Sequence, residues 1–320
     1  MDYRKVVKNS AAYALMNRDA TGKRIAHAYL VVGEDEELAN ALIATFLSEC
    51  IFGSDAQYER MRRFACADVI HLPHGDSVLT SDVKEITDTV YFTPTELDRK
   101  FYVVEKAETM NVSAQNKLLK VLEEPPATVT IILRVSTVKT LLPTVLSRVK
   151  RVDVDKVSEE DIVDMLTTQY GEESKVYLAA ALSSGSISKA ETVMKERRHE
   201  EMFFTVVSML KGMKTSRNVL PYSAKLIGYK DNLGELVDII ELVLADCLLA
   251  SAGVRDRLRF KSAIKDIIDI SAQYTASVVV RLRDVLVRAR KRIEGNGNAQ
   301  SIIDELLFSM LEVKAKCLKS

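Results

Sequence analysis

The sequence predicts an α/β domain built on a parallel sheet, followed by helices alone. Three observations carry this. Short β-branched runs alternate with amphipathic segments through about the first 154 residues, the strand signal stops after Asp155, and five of the six prolines fall before residue 144. Strands that alternate with helices require crossover connections, and these favour a parallel sheet.

The elements follow in order. Ala28-Tyr-Leu-Val-Val32 closed by Gly33 reads as a strand and turn. Glu37 to Cys50 places Leu38, Ala41, Leu42, Thr45 and Phe46 at helical spacing. Val69-Ile-His-Leu72 is a second strand, and Ser81 opens a helix through Val83, Ile86 and Val90 that stops before Pro94. Lys100 to Val104 is a third strand, Asn111 to Leu122 a helix ended by Glu123-Glu124-Pro125-Pro126, and Val129 to Leu133 a fourth strand. Thr140 to Ser147 reads as a short helix and Arg151 to Val154 as a last strand. Ser158-Glu-Glu-Asp161 then opens a helix with a capping box, and Gly171 closes it. A second helix runs from Val176 to Leu182, is broken at Ser183-Ser-Gly185-Ser186, and is followed by a third through Ala190, Val193 and Met194. Long helices are predicted over Met202–Leu210, Leu233–Leu249, Ser262–Ile270, Ala276–Ile293 and Ser301–Cys317.

Composition sets bounds on function. Hydrophobic residues at 47% and charged ones at 28% are globular values, which exclude disorder, collagen and coiled coil. No apolar run nears the roughly 20 residues of a spanning helix, so no membrane role is expected. The N-terminus lacks the apolar core of a signal peptide. Four scattered cysteines point to a reducing cytosol. The net charge of zero hides a pattern: residues 153–252 hold 11 basic and 17 acidic side chains, whereas residues 253–294 hold 11 and 5. A chain-wide nucleic-acid coat is therefore excluded, but one basic band is not.

Strand, glycine, loop and helix at 28–50 is the setting of a phosphate-binding loop. Such a loop needs small residues that let backbone N–H groups wrap phosphate, a lysine to reach it and a hydroxyl for magnesium. Counting from Gly33, the second glycine's position holds Leu38, the lysine's holds Ala39 and the hydroxyl's holds Asn40. Glu34, Asp35, Glu36 and Glu37 lie between, with no nearby cation in the sequence, and would repel a triphosphate. The simpler expectation is that Gly33 only makes the turn.

Several segments resemble a known family. They are Ile25-Ala-His-Ala-Tyr-Leu30 with Gly33, Ala67-Asp-Val-Ile70, and the dense stretch Ala107-Glu-Thr-Met-Asn-Val-Ser-Ala-Gln-Asn-Lys-Leu-Leu-Lys-Val-Leu-Glu-Glu-Pro-Pro126. Leu141-Leu-Pro-Thr-Val-Leu-Ser-Arg148 and Asn296-Gly-Asn298 with the helix after it complete the set. Together they resemble bacterial clamp-loader subunits of the AAA+ superfamily, in particular the delta-prime group. The resemblance implies a degenerate AAA+-like α/β domain at 1–154, a three-helix lid at 155–200 and a helical collar for oligomerisation at 201–320.

It also implies which chemistry is lost. Where ATP-hydrolysing members carry an acidic pair, this chain has Glu105-Lys106, and a protonated lysine is neither a base nor a magnesium ligand. Where active members have Gly-Ser-x-Arg in the lid, this chain has Gly185-Ser-Ile-Ser188. The expectation is a stator without its own ATPase or cofactor, acting with ATP-hydrolysing gamma/tau subunits, a delta subunit, the sliding clamp and primed DNA. Ser147-Arg148 matches the segment in which the family projects an arginine finger into a neighbour's ATP site, with Val149 in place of the usual cysteine. Read without the family, Arg148 is one surface cation that pairs with some carboxylate. The alternative functions are an active gamma/tau-type ATPase and a helical adaptor on a degenerate α/β domain.

Delta-prime proteins often hold zinc on four cysteines. Here the corresponding interval has only Cys50 and Cys66, with His71 and His74 beyond them at no recognisable ligand spacing, so no metal is expected. His27 and His199 read as isolated. In the basic band, Arg255, Arg257, Arg259, Lys261 and Lys265 form one cluster, and Arg281, Arg283, Arg288, Arg290, Lys291 and Arg292 another. The band is expected to be a solvated face or to pair with the acidic 153–252 region; the sharper expectation is contact with a neighbour's acidic helix or with DNA phosphates.

Overall fold

The computed structural model describes residues 3–171 and 174–317. It divides into two compact units: one runs through Val157 and takes in Ser186–Ser188, and the other comprises Ser158–Gly185 and the chain from Lys189 on.

The first unit is built on five parallel strands, β1 (Ala28–Val32), β2 (Val69–Leu72), β3 (Lys100–Val104), β4 (Val129–Val135) and β5 (Lys150–Asp153), in the spatial order β2-β3-β4-β1-β5. Each predicted strand is present within a residue or two. β3 and β4 are buried along their whole length, as expected for inner strands covered on both faces. Tyr102, Val104, Ile131 and Leu133 pack on one side against Val83 and Ile86 of helix Thr80–Thr89 and Leu118 and Leu122 of helix Val112–Glu123. Register is fixed by pairs such as Leu30 with Leu133 and Tyr29 with Lys150.

The helix predicted at Glu37 begins at Glu36, where Asp35 caps it, and after Thr45 it widens into a π-helical segment, Phe46–Ile51. Two N-terminal helices, Tyr3–Lys8 and Ala11–Thr21, add to the prediction. The short helix before β5 contracts to Pro143–Leu146, with proline at its start as fits its fixed φ.

In the second unit Ser158 caps helix Glu159–Tyr170 by accepting from Asp161 N, and Gly171 ends it at φ 84°. Helices Arg197–Gly212, Leu233–Ser251, Ile264–Ser271, Ala276–Glu294 and Ala299–Cys317 contain or closely match the predicted ones. An unpredicted helix, Val219–Leu226, carries Pro221 in its first turn, where no N–H is required. Among the described residues no helix is long and apolar enough to cross a membrane.

Candidate functional site

The turn after β1 is shaped by steric need. Gly33 N donates to Val135 O at 2.9 Å, and a Cβ on Gly33 would sit 2.9 Å from Val154 Cβ. The glycine is therefore required by the close approach of β5's end, beyond making a turn.

Two residues on, Asp35 occupies the N-terminus of helix Glu36–Thr45, the place where backbone N–H groups and the helix dipole would receive phosphate. Its carboxylate accepts from Leu38 N at 3.1 Å, from Ser188 N at 3.1 Å and from the hydroxyls of Ser188 at 2.6 Å and Ser186 at 3.0 Å. Only 6% of Asp35 is exposed. Burial alone would raise its carboxyl pKa, but the donors from Ser188, Leu38 and Ser186 outweigh burial and hold it below the ordinary value. The chain has thus placed its own anion where a ligand's would go. Leu38 and Ala39 lie behind it, 3% and 0% exposed.

A second group converges at the ends of β3 and β4. Arg134, on β4 and 2% exposed, reaches Glu36 with Nη2 at 2.9 Å, and its Nε lies 3.9 Å from Glu105. His71 Nε2 lies 3.1 Å from the other Glu105 oxygen. Burial would raise the Glu105 carboxyl, yet His71, Arg134 and a hydrogen bond from Asn40 hold it down. An internal guanidinium therefore sits between two carboxylates at the ends of β3 and β4. Lys106 does not join this group; it adopts φ 50° and its carbonyl accepts from Thr109.

The expectation that the four carboxylates lack cations is corrected. Lys156 pairs with Glu34 at 2.9 Å, Arg134 with Glu36, and Arg62 with Glu37 at 3.1 Å, while Asp35 is held by serines. Every charge that would have repelled a triphosphate is satisfied within the chain. Sequence reasoning missed Arg134, Lys156 and Arg62 because they lie far along the chain from their partners.

Ser147 and Arg148 stand apart from this site. β1 and β5 are parallel neighbours, so Arg148, two residues before β5, lies at the edge where strands begin, whereas Gly33 and Glu105 follow strand ends. Arg148 is 36% exposed in its side chain and Nη2 meets Glu123 at 2.9 Å. Its Nη1 donates to Thr144 O at 2.9 Å and to Ser147 Oγ at 3.2 Å. His27 is not isolated: its Nε2 donates to the Arg148 carbonyl at 3.0 Å. Nor is His199, which is 2% exposed with Nε2 3.1 Å from Glu235; burial pushes its pKa down.

The two cysteines of the interval have different neighbours, Cys50 facing Asn17 and Cys66 facing Glu96. His74 pairs with Glu85. No cluster of three or more His, Cys, Asp or Glu suited to a metal occurs among the described residues. Part of the basic band pairs with acidic residues of 153–252 as expected: Arg259 with Glu159 at 2.9 Å, and Arg290 with Asp238 and Glu241 at 2.5 and 2.6 Å. Arg292 pairs instead with Glu305. Arg281, Arg283, Arg288 and Lys291 are exposed.

Comparison with known proteins yields a consistent set. A family model described as DNA polymerase III, delta subunit, matches residues 8–158. DNA polymerase III subunit delta' of Bacillus subtilis is 24% identical over 90% of this chain and 92% of its own length. DNA polymerase III subunit gamma of Buchnera aphidicola (subspecies Schizaphis graminum) is 30% identical over 34% of this chain and 30% of its length. Among solved structures, a DNA polymerase III gamma subunit-related protein from Thermotoga maritima aligns over 95% of this chain and 99% of its own, at 19% identity and a TM-score of 0.46.

Proposed function

We propose that the chain, which is similar to DNA polymerase III delta', gamma and tau subunits, is a non-catalytic, delta'-type stator. In this reading it binds no nucleotide of its own, needs no cofactor and supplies Arg148 in trans to the ATP site of a gamma/tau-type neighbour. It works in the cytoplasm beside those subunits and a delta subunit, and the assembly places a sliding clamp on primed DNA. The helical segments from 155 to 200 and from 201 to 320 serve as lid and collar.

One observation carries the non-catalytic part: the Asp35 carboxylate sits in the helix N-terminus with Ser188 and Ser186 closed over it. A phosphate arriving there must displace an internal anion that already holds four hydrogen bonds. The absence of a lysine at Ala39 and of an arginine at Ser188 supports the same reading. The opposite-edge placement of Arg148 supports the finger, because head-to-tail neighbours in a ring present unlike edges to each other.

Equilibrium dialysis with labelled ATP and magnesium tests the proposal on the isolated chain. No stoichiometric binding is expected at concentrations up to about 100 μM, a range in which even a weak site shows itself. Ala39→Lys alone should not restore binding, since Asp35 and Arg134 still fill the site. Micromolar binding by the unmutated chain would favour the gamma/tau-type ATPase instead.

A further inference from the structure

We propose that His27 is the positioning residue for Arg148, tying the finger's backbone to an inner strand of the sheet; this rests on the reading of Arg148 as a trans-acting finger. His27 immediately precedes β1, which lies between β4 and β5. Its own carbonyl accepts from Ile131 N at 2.9 Å, so its main chain is part of the ladder. Its imidazole Nε2 lies 3.0 Å from the Arg148 carbonyl. A carbonyl can only accept, so Nε2 carries the proton. The bond spans 121 positions of sequence and fixes the one peptide that leads from Arg148 into β5.

The rest of the residue is fixed in the same way. Arg148 N donates to Val145 O at 3.0 Å. The two donors of Nη1 are taken by Thr144 O and Ser147 Oγ, both in the turn that ends helix Pro143–Leu146. This leaves the edge formed by Nε and Nη2, which carries the two parallel donors that a phosphate accepts in a bidentate pair. Glu123 rests on Nη2 at 2.9 Å as a single carboxylate oxygen at that edge, where a neighbour's phosphate would replace it. A guanidinium oriented before the neighbour docks avoids the cost of ordering it during the reaction. His27 touches neither substrate nor reacting atoms; it acts through Arg148.

The test uses the chain assembled with its gamma/tau and delta partners and measures kcat and KM for ATP. Arg148→Ala should abolish the contribution of the site it completes, a loss of about 10³-fold or more at that site. His27→Leu, which keeps bulk and loses the donor, should lower kcat at that site about tenfold with KM little changed. His27→Gln, which keeps an N–H donor, should recover part of the loss. The double variant His27→Leu/Arg148→Ala should be no slower than Arg148→Ala alone, because residues acting as one unit are not additive. If Arg148→Ala slows ATP hydrolysis while both His27 variants run at the unmutated rate, the inference fails and the finger stands. A double variant slower than Arg148→Ala by the full His27 factor also overturns it, because His27 would then act independently. If Arg148→Ala has no effect, the finger reading itself falls.

Discussion

Asp35 does two jobs with one carboxylate: it caps helix Glu36–Thr45 through Leu38 N and it holds the Ser186–Ser188 segment. Hydrogen bonds to a charged group are each worth about 1.5–3 kcal/mol, so Ser188→Ala should cost roughly 1–3 kcal/mol. Asp35→Asn keeps the cap but replaces the charge that the serines meet, and a loss of about 1–2 kcal/mol follows. The pH dependence has a definite sign. The folded carboxyl lies below its ordinary value of 3.8, so its contribution is complete above that value and is lost as pH falls through the depressed folded value. Urea denaturation between neutral and strongly acid pH should show a drop in the native chain that is smaller in Asp35→Asn; equal slopes in the two would refute the assignment. The neighbouring Arg134 has a different energetic character. It is buried beside Glu105, which is itself 13% exposed, so removing it leaves that carboxylate short of a counter-charge rather than merely losing a surface contact.

At the scale of elements, the turn between β1 and its helix shows a glycine held by packing alone. Gly33→Ala should destabilise the chain by about 1–3 kcal/mol, the usual cost of overpacking, because Val154 approaches by its Cβ, the branched root of its side chain, rather than by a flexible tip. Thermal melts measure this, and an unchanged midpoint would show that β5's end yields freely. The same turn illustrates what the sequence made legible. Strand runs and crossover helices followed from local periodicity, and counting from Gly33 places Ala39 and Asn40 in the helix after β1. The filling of the site was not legible, because Arg134 reaches Glu36 across 98 positions and Ser188 reaches Asp35 across 153. Helix Val219–Leu226 escaped because Pro221 reads as a breaker unless its place in the first turn is known. His27 carried no signal for Arg148, since a side chain's acceptor on a distant backbone leaves no spacing to detect.

At the scale of the molecule, the parallel sheet gives its two edges different work. The edge where strands end holds the self-satisfied site, and the edge where strands begin holds Arg148 and His27. The first unit is also not a continuous stretch of chain: Ser186–Ser188 belong to it, while the residues before and after them belong to the second unit. A fragment ending at Val157 would contain all five strands and yet lack the three donor groups that Ser186 and Ser188 give Asp35. A cut at Val157 therefore does not coincide with the boundary of the first compact unit. In such a fragment the Asp35 carboxyl should titrate closer to 3.8 than in the whole chain, a difference that carboxyl NMR titration reads directly; identical titration would mean that the segment adds nothing. The three-residue return acts as a clasp, so that loss of its three donors should be felt at the cap of the helix that follows β1.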